Sequence, residues 1–455
     1  MSLGSLLSIA RSALIVQQRS MEVTGNNIAN ANTPGYSRQT LELQSAMPLM
    51  MPLYSVGRGV EANQITRQRD TFYDAAFRTD SGSLGQSSTL QGYLSQVESS
   101  LNEPSTNGLS SSLDGLFNSL SDLANDPTSK VSRDLAVSSG QRVAQQLNSL
   151  ATAVTRISQQ GSDDLKSQID QVNQYAQQIA ELNGKVIASA GPRGASPDLM
   201  DQRDVLVDKL SQFMDVRVIP RADGSVSVAA GDTVLVDGTQ AGNLMMVRSG
   251  SGWGISPSAG GPLIDPQSGS LKALTDLTQT KLPAIQSQLD NLASALVTEF
   301  NQVHRTGTTP SGATGLDFFD PTATTASTIR MSSTLLASSD NLATSANGTP
   351  GNGDIATKLA GLATASIPEL GGSTFRESFV SLAAGVGLQV NNATQDSTTQ
   401  QTLVDRSDAM RTSVSGVNVD EEMISLISSQ QAYSAAARLV TVADQMVQQL
   451  MTIGQ

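Results

Sequence analysis

The two ends of the chain carry the same spacing of apolar residues, and that spacing limits the possible folds more than anything between them. At the front, Leu3, Leu7, Ala10, Leu14, Gln17, Met21, Thr24 and Ile28 alternate steps of four and three, with Gln17 and Thr24 as polar interruptions. At the back, Ala432, Ala436, Leu439, Ala443, Met446, Leu450 and Ile453 do the same almost to the last residue. Steps of four and three keep one face of an α-helix aimed at a partner, as in a coiled-coil seam. Two such helices at opposite ends of one chain can pair with each other and bring the termini together. The small, Ala-rich seam of the second permits close approach and leaves other faces free for neighbouring copies.

Each end helix has a boundary signal. The front helix should stop near Asn30, because Asn30 to Gly35 combines weak helix formers with a Pro-Gly turn. Asn26, Asn27 and Asn30 fit two readings: amides that end the helix, or amides three or four residues apart that bond across subunits. Beyond them, Leu41 and Leu43 alternate with polar residues as in a short half-buried strand. At the back, Asn418 can cap the helix, with Glu421 at the third helical position as in a capping box. Asp420 and Glu422 also favour the positive end of the helix dipole. As a cation or acid–base site, Asp420-Glu421-Glu422 would be poor, since consecutive helical residues point apart. Capping is the simpler account.

Between the ends the pattern predicts mostly helix. Leu90, Leu94, Val97 and Leu101 form one stripe before a break at Pro104 to Gly108; Leu109, Leu113, Leu116, Phe117, Leu120 and Leu123 form a second. Asp126-Pro127 resembles an N-cap followed by proline at the first helical position. Val143, Leu147, Leu150, Val154 and Ile157 keep heptad spacing, and Leu165, Ile169, Val172, Ala176, Ile179 and Val186 resume it after Gly161, where Asp163-Asp164 would open the next helix. The texture then changes. Val216 and Val218, Val226 and Val228, and Val234 and Val236 alternate, with Asp223-Gly224, Gly231-Asp232 and Asp237-Gly238 as turn formers. Residues 249–270 are expected to be loop, with Trp253 folded onto the β region. Helix returns from Leu271 to His304 and from Phe375 to Asp408, separated by a Ser/Thr/Gly-rich segment.

The expected fold is mainly α with an inserted β region, discontinuous and multi-domain. Residues 1–58 and 412–455 form a paired coiled-coil domain. Residues 59–205, 271–306 and 372–411 form an elongated helical bundle. Residues 206–270 form a small β-rich outer domain, and 307–371 are a loop-rich segment of uncertain assignment. With 455 residues there is ample length to bury a core.

Composition removes several functional classes. The formal net charge of −13 and the lack of any Lys/Arg cluster disfavour nucleic acid as a partner. The absence of cysteine removes thiolate chemistry and Cys-based metal sites. No run approaches the roughly 18 apolar residues of a membrane span. The start, Met1-Ser2-Leu3-Gly4-Ser5, lacks a basic leader, and Ala13 to Val16 is too short an apolar run for a secretory signal. The chain is therefore expected to stay in the cytoplasm or to leave by a route that reads no cleaved signal. His304, the sole histidine, has no second histidine with which to share a metal, and reads as the C-terminal residue of a helix. Gly191-Pro192-Arg193-Gly194 lacks the context of a phosphate loop, and no G-x-S-x-G elbow is present. No cofactor is expected, and no catalytic constellation.

Several segments carry a family resemblance. Asn26-Asn27-Ile28-Ala29-Asn30-Ala31-Asn32-Thr33-Pro34-Gly35-Tyr36 resembles the N-terminal signature of the flagellar axial family of rod, hook and hook-associated proteins. Ser37-Arg38-Gln39 continues it in the manner of hook-associated members at the hook–filament junction. Ser415-Gly416-Val417-Asn418-Val419-Asp420-Glu421-Glu422 is similar to their C-terminal motif, and Gln430-Gln431-Ala432-Tyr433 and Ala435-Ala436-Ala437-Arg438 extend the match. Asp198-Leu199-Met200-Asp201-Gln202-Arg203-Asp204, with the Asp223-Gly224-Ser225-Val226 hairpin, resembles the family's entry into its β-rich domain; Asp126-Pro127 with Arg133 fits its helical domain. Residues 307–371 match only loosely.

The resemblance implies a structural role. Such proteins are exported unfolded by the flagellar type III apparatus and form a ring-like junction on the hook protein. They carry the second junction protein and, through it, the filament. The terminal helices would form the inner tube, the bundle the next shell, and the β region the outside. Residues implied in assembly are Leu3, Leu7, Leu14, Met21, Ile28, Asn26, Asn27, Asn30, Pro34, Gly35 and Tyr36 at the front. At the back they are Ala436, Leu439, Ala443, Met446, Leu450 and Ile453, on the helix an export chaperone would hold. Another axial protein (second junction protein, hook or distal rod) is the alternative. An enzyme domain inserted between flagellar-type termini is a distant one.

Overall fold

A computed structural model describes residues 3–51, 54–101, 103–191, 194–250 and 252–453. The end helices, α1 (Leu3–Ala29) and α11 (Val419–Ile453), pack along each other. Their seam is rotated by about one residue from the expected one. On α1, Ala10 and Thr24 are buried as expected, but Ser20 and Asn27 face α11 where Met21 and Ile28 were predicted: Ser20 Oγ lies 3.1 Å from Ser429 Oγ. On α11, Ala436 and Ala443 are buried together with Glu422 and Ser429, every seventh residue. Leu439 and Met446 are each 46% exposed, while Val440 and Val447 are half-buried. Leu7 is exposed, and Leu14, Met21 and Ile28 are only half-buried. The pair closes on its small and polar residues, which let the helices approach, and leaves larger apolar ones outside. The side chains of Leu3, Leu450 and Ile453 lie outside the described residues.

After α1, a hairpin arm lies across it. β1 (Gln39–Ser45) pairs antiparallel with β4 (Val60–Arg67), and β2 (Leu49–Met51) pairs with β3 (Tyr54–Val56) at the tip. The expected domain boundary at residue 58 is thereby corrected: it would separate β1 from β4, whose ladder runs from Gln39↔Arg67 to Ser45↔Val60.

The bundle is built from α2 (Thr71–Leu101), α3 (Leu109–Asn125), α4 (Lys130–Ser189), α5 (Pro197–Ser211), α6 (Ser270–Asp276), α7 (Leu282–His304) and α10 (Phe375–Ser415). The two stretches predicted around Gly161 are one helix of 60 residues. Gly161 does not break it. Ile157, Gly161 and Leu165 are all buried, and a Cβ at 161 would lie 3.3 Å from Thr278 Cγ2, so the glycine admits a crossing segment. Asp163 and Asp164 are consequently mid-helix, and Asp164 accepts the Tyr93 hydroxyl. Asp126 follows the end of α3 instead of starting α4; the cap of α4 is Ser129, whose Oγ accepts the Ser132 N–H at 3.2 Å. The expected helix from Leu271 to His304 contains a π turn, Leu277–Lys281, just before Pro283, which has no N–H to donate back.

The β region sits on α4. β5 (Arg217–Pro220), β6 (Val226–Ala230), β7 (Thr233–Asp237) and β8 (Gln240–Ala241) form an antiparallel meander turning at Gly224, Gly231 and Gly238, all at positive φ. Asn183 of α4 docks it, donating to Val226 O at 2.8 Å and Gly238 O at 2.7 Å. A further hairpin, β9 (Met245–Ser249) with β10 (Gly252–Ser256), carries its second strand into the segment expected as loop. Trp253 is thus a strand residue, with the Arg248 guanidinium 4.8 Å from its ring centroid.

Residues 307–371, read as loop-rich, carry only short helices, α8 (Ser333–Ala337) and α9 (Asp354–Gly361), yet they complete the bundle core. Phe318 and Phe319 are fully buried against Phe300, which also meets Phe117 and Phe375. Asn301 accepts the N–H groups of Phe318 and Phe319 at 2.8 and 2.9 Å and donates to Phe319 O at 2.9 Å. His304 ends α7, as expected, but is buried and bonded on both nitrogens: Nδ1–H donates to Leu316 O at 2.6 Å, and Nε2 accepts the Ala343 N–H at 3.0 Å. Burial, opposed by the Leu316 carbonyl and Asp317, holds its pKa below the ordinary 6.5. The unfolded chain therefore binds the proton first, and stability is expected to fall as pH drops below 6.5 towards the lowered native value. Urea unfolding of wild type and His304→Gln across that window checks this. Parallel pH slopes for the two proteins would count against it.

Candidate functional site

Three segments far apart in sequence meet where the end helices join the bundle: the turn after α1, the start of α11, and α5. Asn27 is at the centre and is 1% exposed. Its Nδ2 donates to Gln39 O at 2.9 Å and to Glu422 Oε2 at 3.0 Å. Its Oδ1 accepts the Gln39 N–H at 2.9 Å and the Tyr36 hydroxyl at 2.8 Å. Both amide protons and the carbonyl oxygen are thus engaged within one chain. Asn30 Nδ2 donates to Asn26 O and Oδ1 at 3.0 and 2.9 Å, and Thr33 Oγ1 donates to Asn30 Oδ1 at 3.2 Å. Of the two readings of this cluster, the structure supplies intrachain partners that end the helix and shape the turn.

The turn needs Gly35. Its φ is +81°, and a Cβ there would lie 2.1 Å from Val205 Cγ2 on α5. Pro34 beside it is exposed. Past the turn, the Ser37 N–H and hydroxyl donate to the two oxygens of Asp201 at 3.0 and 2.7 Å, and Gln39 Nε2 donates to Asp198 at 2.7 Å. Arg38 Nε meets Glu422 Oε1 at 2.8 Å, and its backbone N–H donates to Ser415 O at 2.8 Å.

Beneath this clip lies a buried ion network. Arg67 Nη1 bridges Asp201 at 2.7 Å and Asp204 at 2.8 Å; Arg69 joins Asp204 at 3.0 Å and grips Asp74 with two nitrogens. Asp208 takes Arg78 at 2.7 Å and Arg411 at 2.6 Å. Burial would raise the Asp204 carboxyl, but Arg69, Arg67, Arg203 and Arg78 override it and hold its pKa below 3.8. Burial, then the charges of Asp198, Asp201 and Glu422, push the Tyr36 hydroxyl upward, so it stays a proton donor. The charges neutralise one another. Chemically the arrangement is a joint held by paired charges.

Sequence reasoning singled out Asn26, Asn27, Asn30, Gly35 and Tyr36 as assembly residues but missed the partners they meet within the chain. It assigned Asp420, Glu421 and Glu422 to capping and to the helix dipole. Asn418 Oδ1 does accept the Asp420 N–H at 3.0 Å, but Glu422 is 3% exposed and ties Asn27 to Arg38. A weak signal existed: Arg67, the last residue of β4, and Arg69 are two residues apart, the spacing that puts side chains of an extended chain on one side, and Asp201 and Asp204 share a helix face. Asn27→Ala is expected to orphan the buried Gln39 N–H and one Glu422 oxygen, loosening the end helices by about 1–3 kcal/mol. Hydrogen exchange would show lost protection in α1 and α11 with α4 unchanged. Equal protection in both proteins would refute it.

Comparisons with known proteins bear on the same segments. A family model described as the flagellar hook-associated protein FlgK helical domain matches residues 94–319. The flagellar basal body rod FlgEFG protein C-terminal model matches 411–453, and the flagella basal body rod protein model matches 7–36. Flagellar hook-associated protein 1 of Bacillus subtilis (strain 168) is 32% identical across 98% of this chain and 97% of its own length. The protein of that name from Escherichia coli (strain K12) is 25% identical across 99% of this chain and 100% of its own. Among solved structures, the flagellar hook junction protein FlgK from Burkholderia pseudomallei shares the fold, with a TM-score of 0.66 and 17% identity over 76% of this chain and 100% of that one.

Proposed function

Because this chain belongs to the flagellar hook-associated protein 1 family, we propose that it is the structural junction between hook and filament. It is a structural component of the bacterial flagellum, and its place is in the extracellular axial structure. The observation that carries the mechanism is the apolar surface left outside the paired ends. Ile424 is 69% exposed, and Ile427, Leu439, Val442 and Met446 follow it along one side of α11. Exposed apolar side chains gathered along one side of a helix mark an interaction surface. Copies of the chain cover it by packing side by side into a ring-like zone.

In this reading the intrachain seam and the clip around Asn27 pre-form the end-helix pair, and neighbouring copies complete its burial. Hook protein lies on one side of the ring. The second junction protein, and through it the filament, lies on the other. The bundle and then the β region occupy successive outer shells, with residues 307–371 inside the bundle. The chain travels unfolded through the type III apparatus without a cleaved signal, its C-terminal helix held by an export chaperone. No catalysis or cofactor enters this role.

A strain lacking the gene is expected to build hooks and to shed flagellin into the medium. Normal filaments in such a strain would overturn the junction role.

A further inference from the structure

A groove of about 700 Å³ lies between α1 and the start of β4, away from the α11 seam. Its apolar surface includes Leu7, Ile15 and Val60, and its rim carries Arg11, Arg19 and Arg58, with Glu61 as the one carboxylate. Among the described residues, none of these arginines forms an ion pair. Three unpaired arginines around one apolar groove stand out in a chain of net charge −13.

We infer that this groove receives the first turns of α11 from a second copy of the chain, with Asp420 meeting the arginines and Ile424 and Ile427 filling the apolar floor. The inference rests on the self-assembly proposed above and names the two surfaces that meet. The complementarity is on both partners. α11 opens with three acids and no base before Arg438, whereas α1 has no acid before Glu22. Asp420, Ile424 and Ile427 share a helix face at steps of four and three, and Ile424 and Ile427 are 69% and 48% exposed. Glu421 and Glu422, by contrast, pair with the chain's own Arg38 at 3.3 and 2.8 Å, so seam and stripe operate together.

Groove and stripe are different surfaces of one molecule. The contact is therefore head-to-tail, which closes into rings or extends helically and does not stop at a dimer. Charge pairs at its rim steer the encounter and set the register, while the isoleucines supply burial.

The chain has no cysteine, so single cysteines report one contact each. Full-length Ile15→Cys and Ile424→Cys copies, each first shown to restore filaments, are produced together in cells lacking the native gene. Their hook structures are then isolated and oxidised. A disulfide-linked heterodimer is expected well above that of a control pair joining Ile424→Cys to Leu388→Cys, on an exposed site of α10. Adding Arg11→Glu and Arg19→Glu to the Ile15→Cys copy should cut its yield about tenfold, the size expected from reversing rim charges. Asp420→Arg in the other copy should recover part of it. Yield no higher than the control pair, or unchanged by charge reversal, overturns the inference. The junction role is judged separately, by whether cells without the protein make filaments.

Discussion

A chain cut to residues 68–411 is expected to remain a folded monomer while leaving cells without filaments. The bundle core lies wholly inside these limits: Leu113, Leu147, Leu289, Phe300, Phe318 and Phe375 are each fully buried. The cut removes α1, the hairpin arm and α11, whose open apolar stripe has no other intrachain purpose. It also removes Arg67 from Asp201 and Asp204, but Arg69 remains 3.0 Å from Asp204. A cut after residue 58 would instead leave β4 without β1, presenting a bare strand edge to other copies. Sedimentation, a cooperative thermal transition and a motility test in the deletion strain check the outcome. Restored filaments would show that the end helices are dispensable for assembly. An unfolded fragment would show that they belong to the folding core.

Asp204→Ala is expected to lower stability by about 3–5 kcal/mol, the range for removing one partner from a buried ion pair. Arg67 and Arg69 each lose their nearest contact with it, and Arg203, beside it and 3% exposed, loses the charge that offsets its burial. The pH dependence follows from the lowered native pKa. The carboxylate contributes fully above the unfolded value of 3.8 and loses its contribution as pH falls through the lower native value. The difference between variant and wild type in urea unfolding should therefore shrink in acid. A penalty below 1 kcal/mol at neutral pH, or one that grows in acid, would show that the network is not what joins the end domain to α5.

How much of this was legible beforehand depended on the kind of interaction. Helices with strong apolar periods were readable: α3, α7 and the two ends appear where the spacing put them. Short-range punctuation was less reliable. Gly161 looks like a breaker in one dimension and is a contact glycine in three, because the crossing of Leu277 and Thr278 needs its missing side chain. Asp126-Pro127 has the letters of a helix start, yet Ser129 takes the cap. Residues 307–371 looked structureless because Ser, Thr and Gly hide the pattern. Their order comes from Asn301 and His304, on a neighbouring helix, which bond the segment's backbone.

By itself, then, the sequence determined that two amphipathic helices stand at the chain ends, that a bundle and a β region lie between, and which motifs mark the family. Apolar period, turn residues and local motifs are enough for that. Which face of each end helix meets the other was decided only by the tertiary structure. Spacing counts apolar residues and so favoured Met21, Ile28, Leu439 and Met446. The fold instead buried Asn27, Glu422 and Ser429, with Ser20 half-buried against Ser429, where small size and paired polar groups allow the closest approach. Such a seam costs little only when every buried polar atom finds its partner. Those partners, Gln39, Tyr36 and Arg38, arrive from elsewhere in the chain once it has folded.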